Sequence, residues 1–309
     1  MSMPFKAAQA CATAALRHYL PQREDMDWLA EVVDRPRFGW DWPALEQGFF
    51  EPMRAWAARH DARLKPVLAG LLIDALGGDK RRHPALLAAL EFSHLASCML
   101  DDVHNGRDLA ESQGEQLTMP LPVWVTVAYN ARQLAPVLVM RRSPELAPAD
   151  RLRLARHYLF QQHLGCLFDI WGVEQGLAHG SLLHYLTHLS NYCGAPGFGL
   201  AAATAAVAAG LDDGGVAELR QAGIALGVSL RLRALAEGED RAILFAGRRS
   251  VEPGIHWRFA CDRQVLADSA KRLDDAARYG AERLSPAAGA ALSDFLDALA
   301  APIAGDKLS

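Results

Sequence analysis

Cysteine is scarce in this 309-residue sequence and forms no recognisable motif. The five cysteines, Cys11, Cys98, Cys166, Cys193 and Cys261, are scattered along the chain without a Cys-x-x-Cys pair. An odd number of scattered cysteines argues against a disulfide framework and against a zinc cluster. We therefore expect a protein of a reducing compartment, the cytoplasm.

The sequence also lacks a strong charge of either sign and a long apolar run. Its formal net charge is −4 at pH 7, and the sequence contains no run of basic residues. This balance gives no electrostatic reason to expect nucleic acid or an anionic membrane as a partner. The N-terminal segment has no apolar run of signal-peptide length, and the apolar residues 199–211 are too few to span a bilayer. We expect no stable membrane insertion.

Alanine and leucine, in contrast, are abundant. Apolar residues make up 51% of the chain, β-branched residues are sparse, and neither an internal repeat nor a βαβ alternation is present. This composition predicts one all-α domain over residues 1–309, irregular at 20–43 and 107–119 and with a tail at 304–309. Asp150 is the predicted N-cap of the helix at 151–172. The other predicted helices cover residues 5–19, 45–59, 64–76, 84–105, 120–140, 181–193, 196–210, 214–236, 258–283 and 287–303.

Polar residues line one stripe of the helix predicted within residues 84–108. The stripe follows three- and four-residue steps and consists of Glu91, His94, Cys98, Asp101 and Asn105. Such a line is costly in an apolar helix unless it faces a wet cavity or a cation. Asp101 and its neighbour Asp102 offer the hard oxygen ligands that Mg²⁺ takes when it also holds a phosphate. An Asp-Asp pair at a helix end is also typical of a solvated last turn, so the pair alone leaves both interpretations open.

Residues 62–108 resemble the trans-isoprenyl diphosphate synthases, the polyprenyl synthetase family. That family has a Gly-Lys-Arg-x-Arg-Pro segment, followed by a helix with the pattern Glu-x-x-His-x-x-Ser-x-x-x-Asp-Asp-x-x-Asp. The matching residues of this chain are Arg63, Lys65, Pro66, Glu91, His94, Ser97, Asp101 and Asp102. The resemblance implies a class I isoprenoid synthase-like helical bundle around a central cavity, with Mg²⁺ as cofactor and a prenyl diphosphate as substrate.

The resemblance also implies a role for each matched residue. Asp101 and Asp102 would be catalytic and would be the first two metal ligands. Asn105 would be the third ligand, in place of an acid, with an amide oxygen that neutralises no charge. Arg63 and Lys65 correspond to the two cations before the helix.

Together with His94, Arg63 and Lys65 would bind the diphosphate. The lysine that holds the homoallylic diphosphate in the family is Ala62 here, and the family's Arg-Arg-Gly segment is replaced within residues 111–114. Phosphate-binding charges of the family are therefore missing from this chain.

The second aspartate-rich motif of the family is absent from this sequence. Its lead-in aligns with residues 223–228, but Asp-Asp-x-x-Asp becomes Leu230-Arg231-Leu232-Arg233-Ala234. Arg231, at the position of the second acid, is a candidate direct partner of the diphosphate, or else an ordinary surface or ion-pair arginine. The acids at Glu237, Glu239 and Asp240 either rebuild a displaced metal site or are simply solvated.

Two small residues of the same helix correspond to the floor of the substrate pocket in the family. Ala96 and Ser97 stand five and four residues before Asp101. Small side chains there imply a deep apolar cavity for a long prenyl tail. They equally allow two helices to approach closely.

Three functional classes fit these observations. The first is a transferase or lyase that binds an allylic prenyl diphosphate through Mg²⁺ and either transfers the prenyl group or ionises and cyclises the substrate. The second is a catalytically impaired relative that acts as the partner or regulatory subunit of an active synthase. The third is a helical module that only binds lipid. The resemblance implies a homodimer, or a heteromer with an active synthase.

Overall fold

Alanine- and leucine-rich segments form helices throughout the computed structural model, which describes residues 2–20, 42–59, 62–104, 119–159, 182–237 and 263–300. Every regular element within these ranges is helical, so the predicted all-α class is confirmed. The α-helices are α1 (Met3–Tyr19), α2 (Glu51–Arg59), α3 (Leu64–Ala75), α4 (Pro84–His104), α5 (Leu121–Arg142), α6 (148–159), α7 (Leu182–Leu189), α8 (Leu200–Ala208), α9 (Asp213–Glu237), α10 (Arg263–Leu284) and α11 (Pro286–Ala300).

Shorter helical elements join some of these helices. The turn Trp42–Leu45 and the π-helical run Glu46–Phe50 lead directly into α2, and a 3₁₀ turn, Lys80–Arg82, precedes α4. A second π-helical run, Ser190–Gly199, joins α7 to α8. We call Ser190–Gly199 the π segment.

Two predicted helix boundaries were wrong. The helix at 151–172 was expected to be capped by Asp150, but α6 already begins at residue 148, and the amide of Arg151 donates to the carbonyl of Ala147. A break was expected between 193 and 196, yet the chain stays helical from Leu182 to Ala208, with Pro196 inside the π segment. Proline removes one amide donor, and here it is accommodated within a locally widened helix.

Helices α3 and α4 lie at the centre of the core. Most side chains of α3, from Leu64 to Ile73, are buried, and the helix packs against α1, α4, α8 and α11. Helix α4 packs most extensively against α5. At that interface the indole Nε1 of Trp124 donates to the carbonyl of Met99 at 3.2 Å, and the Trp124 ring meets the ring of Trp56 edge-on. The helix that carries the polar stripe is therefore fixed on several sides.

Close backbone contacts join α9 to the π segment. A Cβ atom at Gly223 would lie 2.4 Å from the carbonyl oxygen of Phe198, and one at Gly194 would lie 2.9 Å from the carbonyl oxygen of Ile224. Because real Cβ atoms do not approach so closely, the two helices need glycine at these positions. Helix α9 packs on its other side against α10.

Several predictions fall outside the described residues. These are the irregular segments at 20–43 and 107–119, apart from their ends, and the tail at 304–309. The single-domain organisation stays a prediction. Within the described ranges, no helix combines the length and the apolar character needed to cross a bilayer.

Candidate functional site

Helix α4 carries the polar stripe as predicted. It runs from Pro84 to His104, so Glu91, His94 and Cys98 follow one another along one side of a continuous helix. Asp101 and Asp102 belong to its last described turn, although the positions of their side chains are outside the description, and Asn105 lies beyond it.

The first polar residue of the stripe, Glu91, is paired with a cation. Arg63 Nη1 donates to Glu91 Oε1 at 2.6 Å, and the two side chains are 6% and 0% exposed. Arg63 Nη2 donates to the carbonyl of Ala57 at 2.7 Å. The expectation that the stripe must meet a cation or a wet cavity is thus met at Glu91 by a buried ion pair.

Burial dominates the ionisation of Glu91. Desolvation raises the pKa of its carboxyl group, while the charge and the hydrogen bond of Arg63, and more weakly the charge of Lys65, oppose the increase. Glu91 Oε2 is buried and accepts no hydrogen bond within the described part of the chain. A buried carboxylate of this kind depends on its cationic partner, here Arg63.

One helical turn further along α4, His94 contacts Lys65. The Lys65 Nζ lies 2.7 Å from His94 Nδ1, and both side chains are half-buried. Because an ammonium group only donates, Nδ1 must accept and the imidazole proton must reside on Nε2. The Cys98 sulfur lies 3.6 Å from the same Nδ1 atom. Three polar side chains from two helices therefore meet at this point.

The Lys65 side chain also borders Gly197 of the π segment. A Cβ atom at Gly197 would lie 3.4 Å from Lys65 Cε and 3.9 Å from Nζ. Lys65 therefore lies where α3, α4 and the π segment meet.

The two pocket-floor residues differ in exposure. Ala96 is fully buried, whereas Ser97 is half-buried and its hydroxyl donates to the carbonyl of Ser93 at 2.9 Å. The hydroxyl is thus satisfied within its own helix. The deep apolar cavity expected above these residues stays a prediction.

At the position of the second acidic motif, α9 presents apolar residues to the core. Leu230 and Ala234, which align with the first and third acids, are each 1% exposed. Arg231, which aligns with the second acid, is half-buried. Of the alternative acids, Glu239 and Asp240 and the side chain of Glu237 are outside the described residues.

Arg233 forms an ion pair across the interface between α9 and α10. It contacts the carboxylate of Asp274, which is 1% exposed and also accepts a hydrogen bond from the hydroxyl of Ser229. Arg231 and Arg233 are two residues apart in one helix and therefore lie on different faces, so this pairing does not involve Arg231. Arg233 is therefore engaged in packing two helices.

A divalent cation could be held by the end of α4. Asp101 and Asp102 are adjacent in its last described turn, and two neighbouring carboxyl groups attract a cation. The donor set fits Mg²⁺, which prefers carboxylate and amide oxygens together with phosphate. No group of three His, Cys, Asp or Glu side chains suited to a metal occurs among the residues that the structure places with their side chains.

Comparisons with known proteins agree with this architecture. No protein-family model matches the sequence, and no curated protein sequence matches it significantly. A geranylgeranyl pyrophosphate synthetase from the archaeon Geoglobus acetivorans matches 96% of this chain and 97% of its own, with a TM-score of 0.69 at 17% identity. The chain has the isoprenoid synthase fold.

Further structures with this isoprenoid synthase fold match to a similar extent. A geranyltranstransferase from Thermotoga maritima covers 96% of this chain and 98% of its own, with a TM-score of 0.63 at 14% identity. A mint deletion mutant of heterotetrameric geranyl pyrophosphate synthase covers 96% and 99%, with a TM-score of 0.65 at 15% identity. The fold expected from the family resemblance is thereby confirmed.

The isoprenoid synthase fold brings together residues that the sequence did not connect. Sequence patterns identified Arg63, Lys65 and His94, but not that Arg63 pairs with Glu91 while Lys65 contacts His94. Gly197 and Asp274 were missed altogether. Neither belongs to a local pattern, and each acquires its partner from a distant segment of the chain.

Proposed function

We propose that this chain is an enzyme of isoprenoid metabolism, which binds an allylic prenyl diphosphate through Mg²⁺ held by Asp101, Asp102 and Asn105. The observation that carries the proposal is the order of groups along α4. The contact between Lys65 and His94 lies two helical turns before Asp101, about 10 Å along the axis. An anion-binding pair next to a pair of carboxylates suits a substrate whose phosphates contact both protein cations and a metal. The shared fold supports the proposal.

The residues of this chain would act on the leaving group. Bound Mg²⁺ would oppose the negative charge that develops on the diphosphate as the allylic bond ionises. The ammonium of Lys65 and the Nε2–H of His94 would donate hydrogen bonds to phosphate oxygens. Arg231 is a further candidate donor, in place of an acid that would hold a second metal. The expected apolar cavity, with Ala96 and Ser97 at its floor, would receive the prenyl tail and exclude water.

The chemistry after ionisation need not be chain elongation. Ala62 replaces the lysine that holds the homoallylic diphosphate in the resembling family, so binding of isopentenyl diphosphate should be weak. Transfer to a different acceptor, or ionisation with cyclisation, fits this loss at least as well as elongation does. The thiol groups of Cys11 and Cys98 suit a reducing, cytoplasmic setting.

The test is an assay of the purified protein with C10 to C20 allylic diphosphates and Mg²⁺, with and without isopentenyl diphosphate, for product and released pyrophosphate. Asp101→Ala and Asp102→Ala should each abolish turnover with the fold intact, whereas Asp297→Ala, at an exposed position of α11, should not. Absence of product and pyrophosphate at every chain length would count against an enzyme.

The alternative is a partner or regulatory subunit of an active prenyl diphosphate synthase. It is favoured by the burial of Leu230 and Ala234, because these apolar side chains replace two acids of the second motif. Co-purification with the host's active synthase, together with a change in that enzyme's product length, would support this role. Unchanged products and strict self-association would disfavour it.

A surface for self-association or for such a partner lies on α5 and α6. Tyr129 and Met140 on α5 and Leu152 and Leu159 on α6 are exposed apolar side chains. The two helices meet where Arg151 donates to the carbonyl of Met140 at 3.0 Å. We propose that the homodimer, or the heteromer, forms through this surface. Tyr129→Glu should raise the fraction of monomer in analytical ultracentrifugation.

A further inference from the structure

We infer that Glu91 and Arg63 are positioning residues, which hold Lys65 against His94 without contacting the substrate themselves. The inference rests on the proposed function in one respect, namely that Lys65 and His94 would receive an anionic group. It gives Arg63 a role different from the diphosphate contact that the family resemblance implies.

Two neighbouring contacts join the beginning of α3 to α4. The first joins Arg63 to Glu91 at 2.6 Å, and the second joins Lys65 to His94 at 2.7 Å. On the α3 side the two residues are separated only by Leu64, and on the α4 side they are one helical turn apart. Because both contacts share the same two backbones, displacement of the first pair must also move the second.

The guanidinium group of Arg63 and the ammonium group of Lys65 lie in different environments. Arg63 is 6% exposed, is held by the carbonyl of Ala57 in α2, and borders a cavity of about 710 Å³ between α1 and α2. Lys65 lies beside Gly197 of the π segment. If Arg63 moved to a substrate, the buried carboxylate of Glu91 would lose its cation, which is costly.

The backbone conformation of Arg63 explains how the Arg63–Glu91 pair controls the direction of the Lys65 side chain. Arg63 has φ 51° and ψ 35°, and no other non-glycine residue within the described ranges has a positive φ. A residue with a Cβ atom adopts this left-handed backbone conformation only when its surroundings hold it there. The carbonyl of Arg63 accepts the amide of Val67, an early hydrogen bond of α3. The contacts of Arg63 therefore fix where α3 begins and where Lys65 points.

The tautomer of the neutral His94 ring can be measured without any substrate. With Lys65 donating to Nδ1, the neutral ring is held as the Nε2–H tautomer. Nitrogen-15 NMR of labelled histidine distinguishes the two tautomers. A loss of alignment between Lys65 and His94 would therefore appear as a mixture of tautomers.

The experiment replaces the ion pair by apolar residues in Arg63→Met/Glu91→Leu, a change of similar volume that often leaves stability intact. Glu91→Gln, which keeps the size of the side chain, serves if the double variant does not fold. We expect a mixture of His94 tautomers in the folded variant. We also expect at least about tenfold weaker binding of inorganic pyrophosphate, measured without divalent metal so that Asp101 and Asp102 do not contribute.

The matched control is Arg283→Met/Glu218→Leu, which removes another ion pair between helices, with a separation of 3.2 Å. It should leave the His94 tautomer and pyrophosphate binding unchanged. A folded Glu91 variant with the wild-type tautomer would overturn the positioning role. If the tautomer changes although the wild-type protein binds no pyrophosphate, the positioning role stands and the anion-binding function of Lys65 and His94 fails.

Discussion

The two helices that align with the acidic motifs of the resembling family differ in the residues at the aligned positions. Helix α4 keeps ionisable residues at helical spacing, and its first two, Glu91 and His94, are in contact with cationic side chains. Helix α9 has apolar residues at two of the three acidic positions, and both Leu230 and Ala234 are buried. Both helices belong to the same fold, but only α4 has carboxylic acids at the aligned positions.

The contrast separates what the fold needs from what the chemistry needs. Gly223 at the start of the α9 motif is retained, and the close approach of Phe198 explains this by packing alone. The acids that follow it are lost, and Arg233 is used to join α9 to α10 through Asp274. The glycine that aligns with the second motif is therefore explained by packing, without any of the aligned carboxylates.

The largest effect is expected from Leu230→Asp, which restores the first acid of the second motif. Because Leu230 is part of the apolar core, the new carboxylate would be buried without a partner. We expect the free energy of unfolding to fall by about 4 kcal/mol. Urea denaturation with and without Mg²⁺ measures this change, and we expect no rescue by the metal.

A control for Leu230→Asp is Gln221→Asp, at an exposed position of the same helix. It should cost less than about 1 kcal/mol, which reflects only the lower helix propensity of aspartate. Restoration of stability by Mg²⁺ in Leu230→Asp would show that the position faces a metal site after all, and the contrast between the two helices would disappear.

A smaller effect is expected at the interface of α9 with α10. Asp274→Ala removes the buried carboxylate that accepts from Ser229 and pairs with Arg233. We expect a loss of about 2 kcal/mol in the free energy of unfolding, because a buried hydroxyl loses its acceptor. The adjacent Asp275, in an exposed pair with Arg278, provides the control, and Asp275→Ala should change stability by less than about 0.5 kcal/mol. Equal effects at the two positions would contradict a structural role for Asp274.

These contrasts also show which features a sequence can reveal. The all-α class and the stripe on α4 were predictable, because alanine and leucine content and a three- to four-residue spacing are local properties. The pairing of Arg63 with Glu91 was not, since 28 positions separate them and the contact depends on how α3 enters the core. The continuity of the π segment through Pro196 was missed because a widened helix tolerates a residue that ordinarily ends one. The side chains of Asp101 and Asp102, on which the chemistry would depend, remain a matter of prediction.

The smallest effect concerns the pH dependence of stability at Glu91. Burial raises the pKa of its carboxyl group in the folded protein, so the folded state holds the proton more tightly than the unfolded chain does. The resulting stabilisation is present below the ordinary glutamate pKa and is lost as the pH rises through the raised value. The difference between the unfolding free energies of wild type and Glu91→Gln should therefore shift against the wild type with rising pH.

The expected slope at Glu91 is at most about 1.4 kcal/mol per pH unit, the value for one proton. Denaturation of both proteins from about pH 4 to about pH 8 measures it, and subtraction of the variant removes the contribution of other groups. A difference that moves in favour of the wild type with rising pH would mean that the attraction of Arg63 outweighs burial. The ion pair of Glu91 with Arg63 would then stabilise the folded protein at neutral pH rather than cost stability there.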